Sequence, residues 1–396
     1  MTAKPAGWII VLLAAIVATT PLAIDMYLPA MPLMAQQLDT TIAMVQQSLS
    51  IFLAFFGISM LICGPLADSL GRRPLAIFGL SGFVLASLAL SLVSSIEWFL
   101  FWRALQAFCG AAATVVVPGI VRHIYQEHTA KGMSYVSMIM MLAPLLAPAI
   151  GSGILCLASW QVIFIPLAGY ALLVLLVSIK ALPEIKAADS PKNIALLAGY
   201  KLVFANKSAW PDIATSMFAS FSFFCFLTAV PFVYIQYFGV NEQQFSLLFG
   251  FNVVMLMLAN LINSKLVTRL GPQRMLSAGL AIALVCASAL TLVNVWQFDL
   301  RYTVLAIAPL MACLSLIATN ADAMILMKFP DNSGSATAVI GTLRFGIGAL
   351  AGPLLALFYT GTPVPFALLM LAGVLLIAVS QLWHKPGATE PAATVD

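Results

Sequence analysis

Residues 64–74 read GPLADSLGRRP, and residues 264–274 read SKLVTRLGPQR. Each is a short basic turn set into otherwise apolar sequence. Leu66, Leu70 and Gly71 recur two hundred residues later as Leu266, Leu270 and Gly271. The match carries weight because each turn falls at the same place in a series of apolar runs, after the second and after the eighth, as in a chain built from two related halves. A turn this short needs Gly64 for close helix contact, Gly71 for a left-handed turn, and Pro74 to open the next helix. Arg72 and Arg73 anchor the turn on one side of a membrane, and Asp68 can pair with them or sit at a neighbouring helix N-terminus.

The composition outside these turns excludes a water-soluble protein. Of 396 residues 62% are hydrophobic and 8% are charged, whereas soluble domains carry about 25% charged residues. Apolar runs long enough to cross a bilayer core lie at 8–30, 44–64, 75–95, 98–121, 132–156, 160–181, 210–237, 245–264, 273–294, 301–325, 334–358 and 363–384. Each approaches the roughly 20 helical residues that a core about 30 Å thick requires. A membrane barrel would show ten-residue alternating segments instead. The first run follows Lys4 but exceeds a signal-peptide core, so it reads as an uncleaved span. Of the 18 Lys and Arg residues, Arg103 and Arg344 fall inside spans and Arg301 alone falls on an external segment; the rest, from Lys4 to Lys385, share one side. The positive-inside rule makes that side cytoplasmic. The sequence thus predicts an all-α membrane protein of twelve transmembrane helices in two six-helix bundles, 1–181 and 210–385. A cytoplasmic linker at 182–209 and a tail at 386–396 complete it, with both termini cytoplasmic.

The six cysteines stand singly within apolar runs, without metal-ligand or redox spacing. No HExxH, GxSxG or phosphate-loop pattern is present, and the three histidines lie near the cytoplasmic face. An enzyme, a metal site and a nucleotide-driven pump are therefore not expected. The basic excess serves topology, and no nucleic-acid partner is expected.

An ionisable residue at the bilayer centre costs about 2.5–3.5 kcal/mol on insertion scales, so each one calls for a role. Asp25, in TPLAIDMYLPAMP at 20–32, lies toward the outer part of the first span. Its carboxyl, withdrawn from water, is placed to exchange a proton. Arg103, in LFWRALQAFCGAA at 100–112, has Gln106 one turn on. Because an arginine stays charged, it can bias a nearby carboxylate or a substrate. Arg344 lies near the middle of the eleventh span and should face the interior or a cavity. Asp212 and Asp322 read as span-end carboxylates reached by water. Pro144, Pro148 and Gly151 share one face of the fifth span, which bends the helix and admits a close neighbour.

The pattern at 64–74 strongly resembles the signature loop of the major facilitator superfamily. The Asp25 stretch, Arg103 with Gln106, APLLAPAIGSG at 143–153, PFVYI at 231–235 and RFGIGA at 344–349 together resemble the bicyclomycin-resistance (Bcr/CflA) family of drug:proton antiporters. The resemblance covers nearly the whole chain. It implies two bundles that rock between inward-open and outward-open states, with Gly64, Asp68, Gly71, Arg72 and Arg73 latching the outward-facing form. It further implies that Asp25 is the protonatable acid, that Arg103 and Gln106 couple to it, and that the run at 143–153 is the kinked helix of antiporters. One departure is Ala107, where drug exporters usually carry glycine.

For the substrate surface, polar groups within spans favour the protein-facing side, which points to Tyr27, Asn252, Asn320 and Arg344, joined by Phe226 and Tyr234 from the aromatic seventh span. The expected activity is proton-coupled export of drug-like small molecules from the bacterial cytoplasm across the inner membrane, by a monomer that draws on the proton gradient without a bound cofactor. Transport of one specific metabolite is the alternative. If Arg103 and Arg344 both face the cavity, protonation of Asp25 leaves them without a counter-charge, and neutral or zwitterionic substrates are expected.

Overall fold

A computed structural model describes residues 7–126, 129–184, 201, 203–329 and 333–383, apart from the side chains of Asp68, Ala130 and residues 333–335. Most of the expected linker, the C-terminal tail and the Asp68 carboxylate of the expected latch lie outside the described residues. Twelve helical spans are long and apolar enough to cross a membrane. They are α1 (Trp8–Gln37), α2 (Ile42–Ala67), α3 (Arg72–Leu90), α4 (Ile96–Tyr125), α5 (Lys131–Leu155), α6 (Trp160–Ala181), α7 (Lys207–Tyr237), α8 (Glu242–Leu270), α9 (Pro272–Val295), α10 (Leu300–Lys328), α11 (Ala336–Leu357) and α12 (Val364–Leu382).

Polar caps and glycines set the span ends. Thr41 caps α2 through Met44 N, Ser95 caps α4 through Trp98 N, and Asn241 forms a reciprocal capping box with Gln244 at the start of α8. Each satisfies a backbone N–H that helix geometry leaves without a partner. Gly71 has φ 96° and ψ 151°, and Gly271 has φ 78° and ψ 157°. This pairing of positive φ with extended ψ is open almost only to glycine. The left-handed turn expected at Gly71 is therefore replaced by this extended form, and its recurrence gives the sequence repeat a backbone counterpart.

The repeat extends to helix breaks. Span α1 runs helically to Asp25, passes through a 3-10 turn at Leu28–Ala30 and resumes at Met31–Gln37. Pro29, which lacks an N–H donor, falls in that break, and Pro32 sits in the first turn of the helix that resumes. Its counterpart α7 changes to a π-helical turn, Phe232–Tyr237, directly after Pro231. Spans α5 and α11 likewise break, between Met140 and Ala143 and between Gly348 and Ala351.

Within the first half α4 packs on α2 and α3, and α1 packs on α5 and α6. Within the second, α10 packs on α8 and α9, and α7 on α10, α11 and α12. The halves meet along α2 with α11 and α5 with α8. Lys and Arg side chains cluster at one end of the bundle, the basic end, which carries the 64–74 and 264–274 turns. At the far end a single apolar cluster joins both halves, from Leu28 and Leu49 to Phe249 and Leu355. Toward the basic end the core divides into two, one around Leu13, Leu80 and Val117 and one around Val203, Ile325 and Ala336. The halves are thus fused at the far end and separate at the basic end.

Candidate functional site

Six hydrogen bonds among the described residues join the two halves, and all lie toward the far end. Gln46 Nε2 donates to Thr228 O at 2.9 Å, and Gly352 N donates to Ser50 Oγ at 3.0 Å. Ser152 Oγ donates to Glu242 O at 2.8 Å and meets Ser246 Oγ, which donates to Pro148 O at 2.9 Å. Gln243 Nε2 reaches Cys156 Sγ at 2.7 Å. The α5 stripe expected from Pro144, Pro148 and Gly151 is an assembly surface. Pro148 receives the partner half, Pro144 lines a cavity, and Gly151 lies so close to Met26 that a Cβ there would collide with the Met26 carbonyl oxygen.

Beneath this closure lies a cavity of about 520 Å³ between the halves. Its first-half wall includes Thr20, Asp25, Met60 and Met141, and its second-half wall includes Leu227, Asn252, Met257 and Met311. Six phenylalanines, Phe56, Phe223, Phe224, Phe226, Phe249 and Phe345, also face it. Phe345 bridges the halves, with ring centroids 4.5 Å from Phe56 and 5.6 Å from Phe224. Pockets for small organic ligands have this character, apolar and aromatic with a few polar groups. Asp25 is the charged residue of the lining. It is 4% exposed, its Oδ1 has no hydrogen-bond partner among the described residues, and it makes no ion pair there. Thr20 Oγ1, five residues earlier on the same wall, is likewise unpartnered among the described residues. A buried carboxyl with a vacant acceptor is suited to take a proton or a ligand's donor.

Arg103 is wholly buried behind this wall. Its guanidinium carbon lies 4.4 Å from the centre of the Tyr27 ring and 4.5 Å from that of Phe52. NH1 donates to Ala23 O at 3.1 Å and to Gln106 Oε1 at 2.6 Å, and Gln106 Nε2 donates to Ser87 Oγ at 2.8 Å. The pairing of Arg103 with Gln106 thus holds. Its link to Asp25 runs through the α1 backbone, because Ala23 lies two residues before the acid.

Four of the expected substrate contacts do not line this cavity. Tyr27 is buried beside Arg103 and bonds Ser48 Oγ at 3.0 Å, and Tyr234 packs on Phe245 with ring centroids 6.2 Å apart. Asn320 Nδ2 donates to Asn263 Oδ1 at 2.9 Å, inside the second half. Arg344 NH1 donates to Asp322 Oδ2 at 2.8 Å, and its Nε donates to Ser220 Oγ at 2.7 Å. Polarity within a span placed these residues toward protein, as expected, but other helices satisfy Tyr27, Asn320 and Arg344 there, and Tyr234 is held by ring packing. Phe226 and Asn252 do face the cavity.

The reading of Asp212 as a wet span-end acid is corrected, and Asp322, which is partly exposed, is engaged in an ion pair. Asp212 is fully buried and accepts from Lys328 Nζ at 2.6 Å, and Asp322 accepts from both Arg344 and Ser216. The signal for Asp322 was Arg344 itself, since a mid-span arginine requires a nearby counter-charge. Neutral-substrate selectivity loses its premise as well, because neither arginine faces the cavity.

In the turn at 64–74, Gly64 is half-buried within α2. Arg72 NH1 donates to Gly119 O at 2.6 Å and Arg73 NH2 to Ile179 O at 2.5 Å, both within the first half. In the state with the far end closed, these arginines bind their own bundle.

Two repeated six-helix bundles around a central cavity define a secondary transporter. The chain belongs to the major facilitator superfamily, whose family model matches residues 12–353 and 213–395. It is 32% identical to a bicyclomycin resistance protein homolog of Haemophilus influenzae over 90% of each chain. It is 30% identical to a chloramphenicol resistance protein of Pseudomonas aeruginosa over 95% of this chain and 92% of that one. Its fold matches the crystal structure of a D-xylose-proton symporter with TM-score 0.71 and 13% identity, over 94% of this chain and 97% of that one. The protein is accordingly a multi-pass protein of the bacterial inner membrane, identified by sequence with the bicyclomycin-resistance transporters.

Proposed function

We propose that the protein is a proton-coupled antiporter that exports drug-like organic molecules, loading them from the basic end, which faces the cytoplasm. The carrying observation is the unpartnered Asp25 carboxyl in an apolar cavity between the halves. Substrate enters where the core is divided and meets the acid; rocking of the bundles breaks the Ser152, Ser246, Gln46 and Ser50 contacts and exposes the site outside. There the carboxylate takes up a proton, and return of the protonated form resets the cycle. The proton gradient drives this cycle without a bound cofactor, and one chain holds the whole cavity. The names of the resistance-protein relatives support the choice of substrate class.

Everted membrane vesicles containing the protein, energised by respiration and monitored with a pH-sensitive dye, test this reading. Addition of an exported compound is expected to release protons in wild type and not in Asp25→Asn, with equal amounts of folded protein in the membrane. Proton release by Asp25→Asn at the wild-type rate would remove Asp25 from the mechanism.

A further inference from the structure

A second cavity, of about 670 Å³, lies between the halves at the far end. Its first-half wall carries Gln36 of α1 and Thr40 and Thr41 of the turn that follows, and its second-half wall carries Gln236 of α7 and Tyr359 just past α11. The hydrogen bonds that close the central cavity form its floor. Along α2, Ala43 of this lining precedes Gln46 by three residues and Ser50 by seven, so the three share one helix face. Along α11, Ala356 of the lining lies one turn beyond Gly352, and along α7, Ile235 lies seven residues beyond Thr228. The Gln46–Thr228 and Ser50–Gly352 bonds therefore lie beneath three of its walls. The helices that form these walls part when those bonds break, so the cavity exists only while the far end is closed. A molecule that binds both walls binds that state alone and holds it.

The lining selects the chemistry of that molecule. No charged side chain among the described residues lines the cavity, so an ion would enter without a counter-charge. An apolar ligand would strip water from the amides and hydroxyls and leave them unpaired. The side chains of Gln36, Thr40, Gln236 and Tyr359 make no hydrogen bond to other described residues. Thr41 Oγ1 accepts from Met44 N at 3.2 Å and keeps its own proton to donate. Amides and hydroxyls both donate and accept, as the hydroxyls of a sugar do. The exposed Tyr359 ring, packed on Phe232 with centroids 5.5 Å apart, joins Pro32 and Ala35 in offering apolar surface to the C–H face of a sugar ring. We infer that the far-end cavity is a binding site for an uncharged saccharide, which reaches it from outside and locks the far end closed. The closing bonds separate this site from the central cavity, so its occupant is a regulator and not a cargo. The locking rests on the rocking cycle proposed above, whereas the binding does not.

The test uses the full chain, purified in a detergent without a sugar headgroup and placed in lipid nanodiscs, with maltose as probe. Titration calorimetry is expected to show maltose binding to wild type. The combined variant Thr40→Val, Gln236→Ala should bind at least tenfold more weakly and still export at the wild-type rate, which reports a folded transporter. With Ser152→Cys and Ser246→Cys crosslinked by oxidation in a Cys156→Ser background, maltose should bind at least as tightly as to the reduced protein. In everted vesicles the far end faces the lumen. Maltose loaded there at ten times its Kd is expected to slow export by up to about elevenfold, the factor of one plus the ratio of ligand to Kd, without raising the KM of the exported compound. Maltose in the bath, or glycine betaine in the lumen at equal osmolality, should leave export unchanged. Absence of maltose binding, equal binding by the variant, or loss of binding on crosslinking overturns the inference. So does inhibition that raises KM, because maltose would then be competing in the central cavity. Maltose binding that the variant loses, in a protein that exports no compound at all, overturns the exporter and leaves the saccharide site.

Discussion

Arg344 and Asp322 form an ion pair of 2.8 Å that ties α11 to α10 within the second half, beside the cavity-lining Phe345. Ser216 and Ser220, one turn apart on α7, complete it by donating to Asp322 Oδ1 at 2.5 Å and accepting from Arg344 Nε at 2.7 Å. Three spans thus meet at a single neutralised pair.

Removing one partner of this pair leaves the other charged and without its counter-ion. Such changes cost about 3–5 kcal/mol in a dry interior, and partial exposure of both side chains, 37% and 27%, reduces this to about 2 kcal/mol. Asp322→Asn and Arg344→Gln are each expected to lower thermal stability in detergent, and the double variant should recover at least half of the summed loss. Additive losses, measured by thermal unfolding, would show that the pair contributes nothing as a pair.

This pair also marks where the sequence was legible and where it was not. Hydropathy and basic-residue placement reveal the twelve spans because the bilayer acts on every residue of a span alike. The repeated Gly71 and Gly271 turns are legible because backbone conformation is local. Which face of a span meets a cavity depends on packing between helices distant in sequence, so Phe226 and Asn252 could not be told from Tyr234 and Asn320 by polarity alone. Asp25 was legible because a carboxylate that far from a span end has few structural explanations. Gln46, Ser50 and Ser246 were not, since small polar residues recur in many spans and only their meeting across the halves distinguishes them.

Gly151 fixes how closely α5 approaches the break in α1 just after Asp25. Because a Cβ would collide with the rigid Met26 backbone, Gly151→Ala must push the helices apart or twist α5. Overpacking of this kind costs about 1–3 kcal/mol. The variant is expected to reach the membrane, lose thermal stability by that amount and export at least several-fold more slowly. Gly153→Ala, with nothing within 4 Å of the added carbon, is the matched control. Equal behaviour of the two variants would remove the close approach from the account.

The contact between Ser152 and Ser246 should open in every transport cycle, since it closes the far end of the cavity. In a background with Cys156→Ser, the pair Ser152→Cys and Ser246→Cys is expected to form a disulfide on mild oxidation. Export should then stop and return on reduction, while binding of a substrate from the basic end should survive. Unimpaired export by the quantitatively crosslinked protein would show that this closure is not broken during transport.

The charge carried per cycle follows from the occupant of Asp25. Exchange of one proton for one monovalent cation moves no net charge, so only the pH difference drives it, at about 1.4 kcal/mol per pH unit. Exchange of one proton for a neutral molecule moves one charge inward and also draws on the membrane potential, about 2.3 kcal/mol per 100 mV. Proteoliposomes on a solid-supported membrane separate these cases, because the electrode reads charge displaced during transport directly. With a monovalent ammonium substrate and a pH step, the protein is expected to transport without a sustained current, and with a divalent cation the current should run outward. A sustained inward current of one charge for each monovalent cation exported would mean that two protons enter per cycle, and a second acid would then have to act beside Asp25.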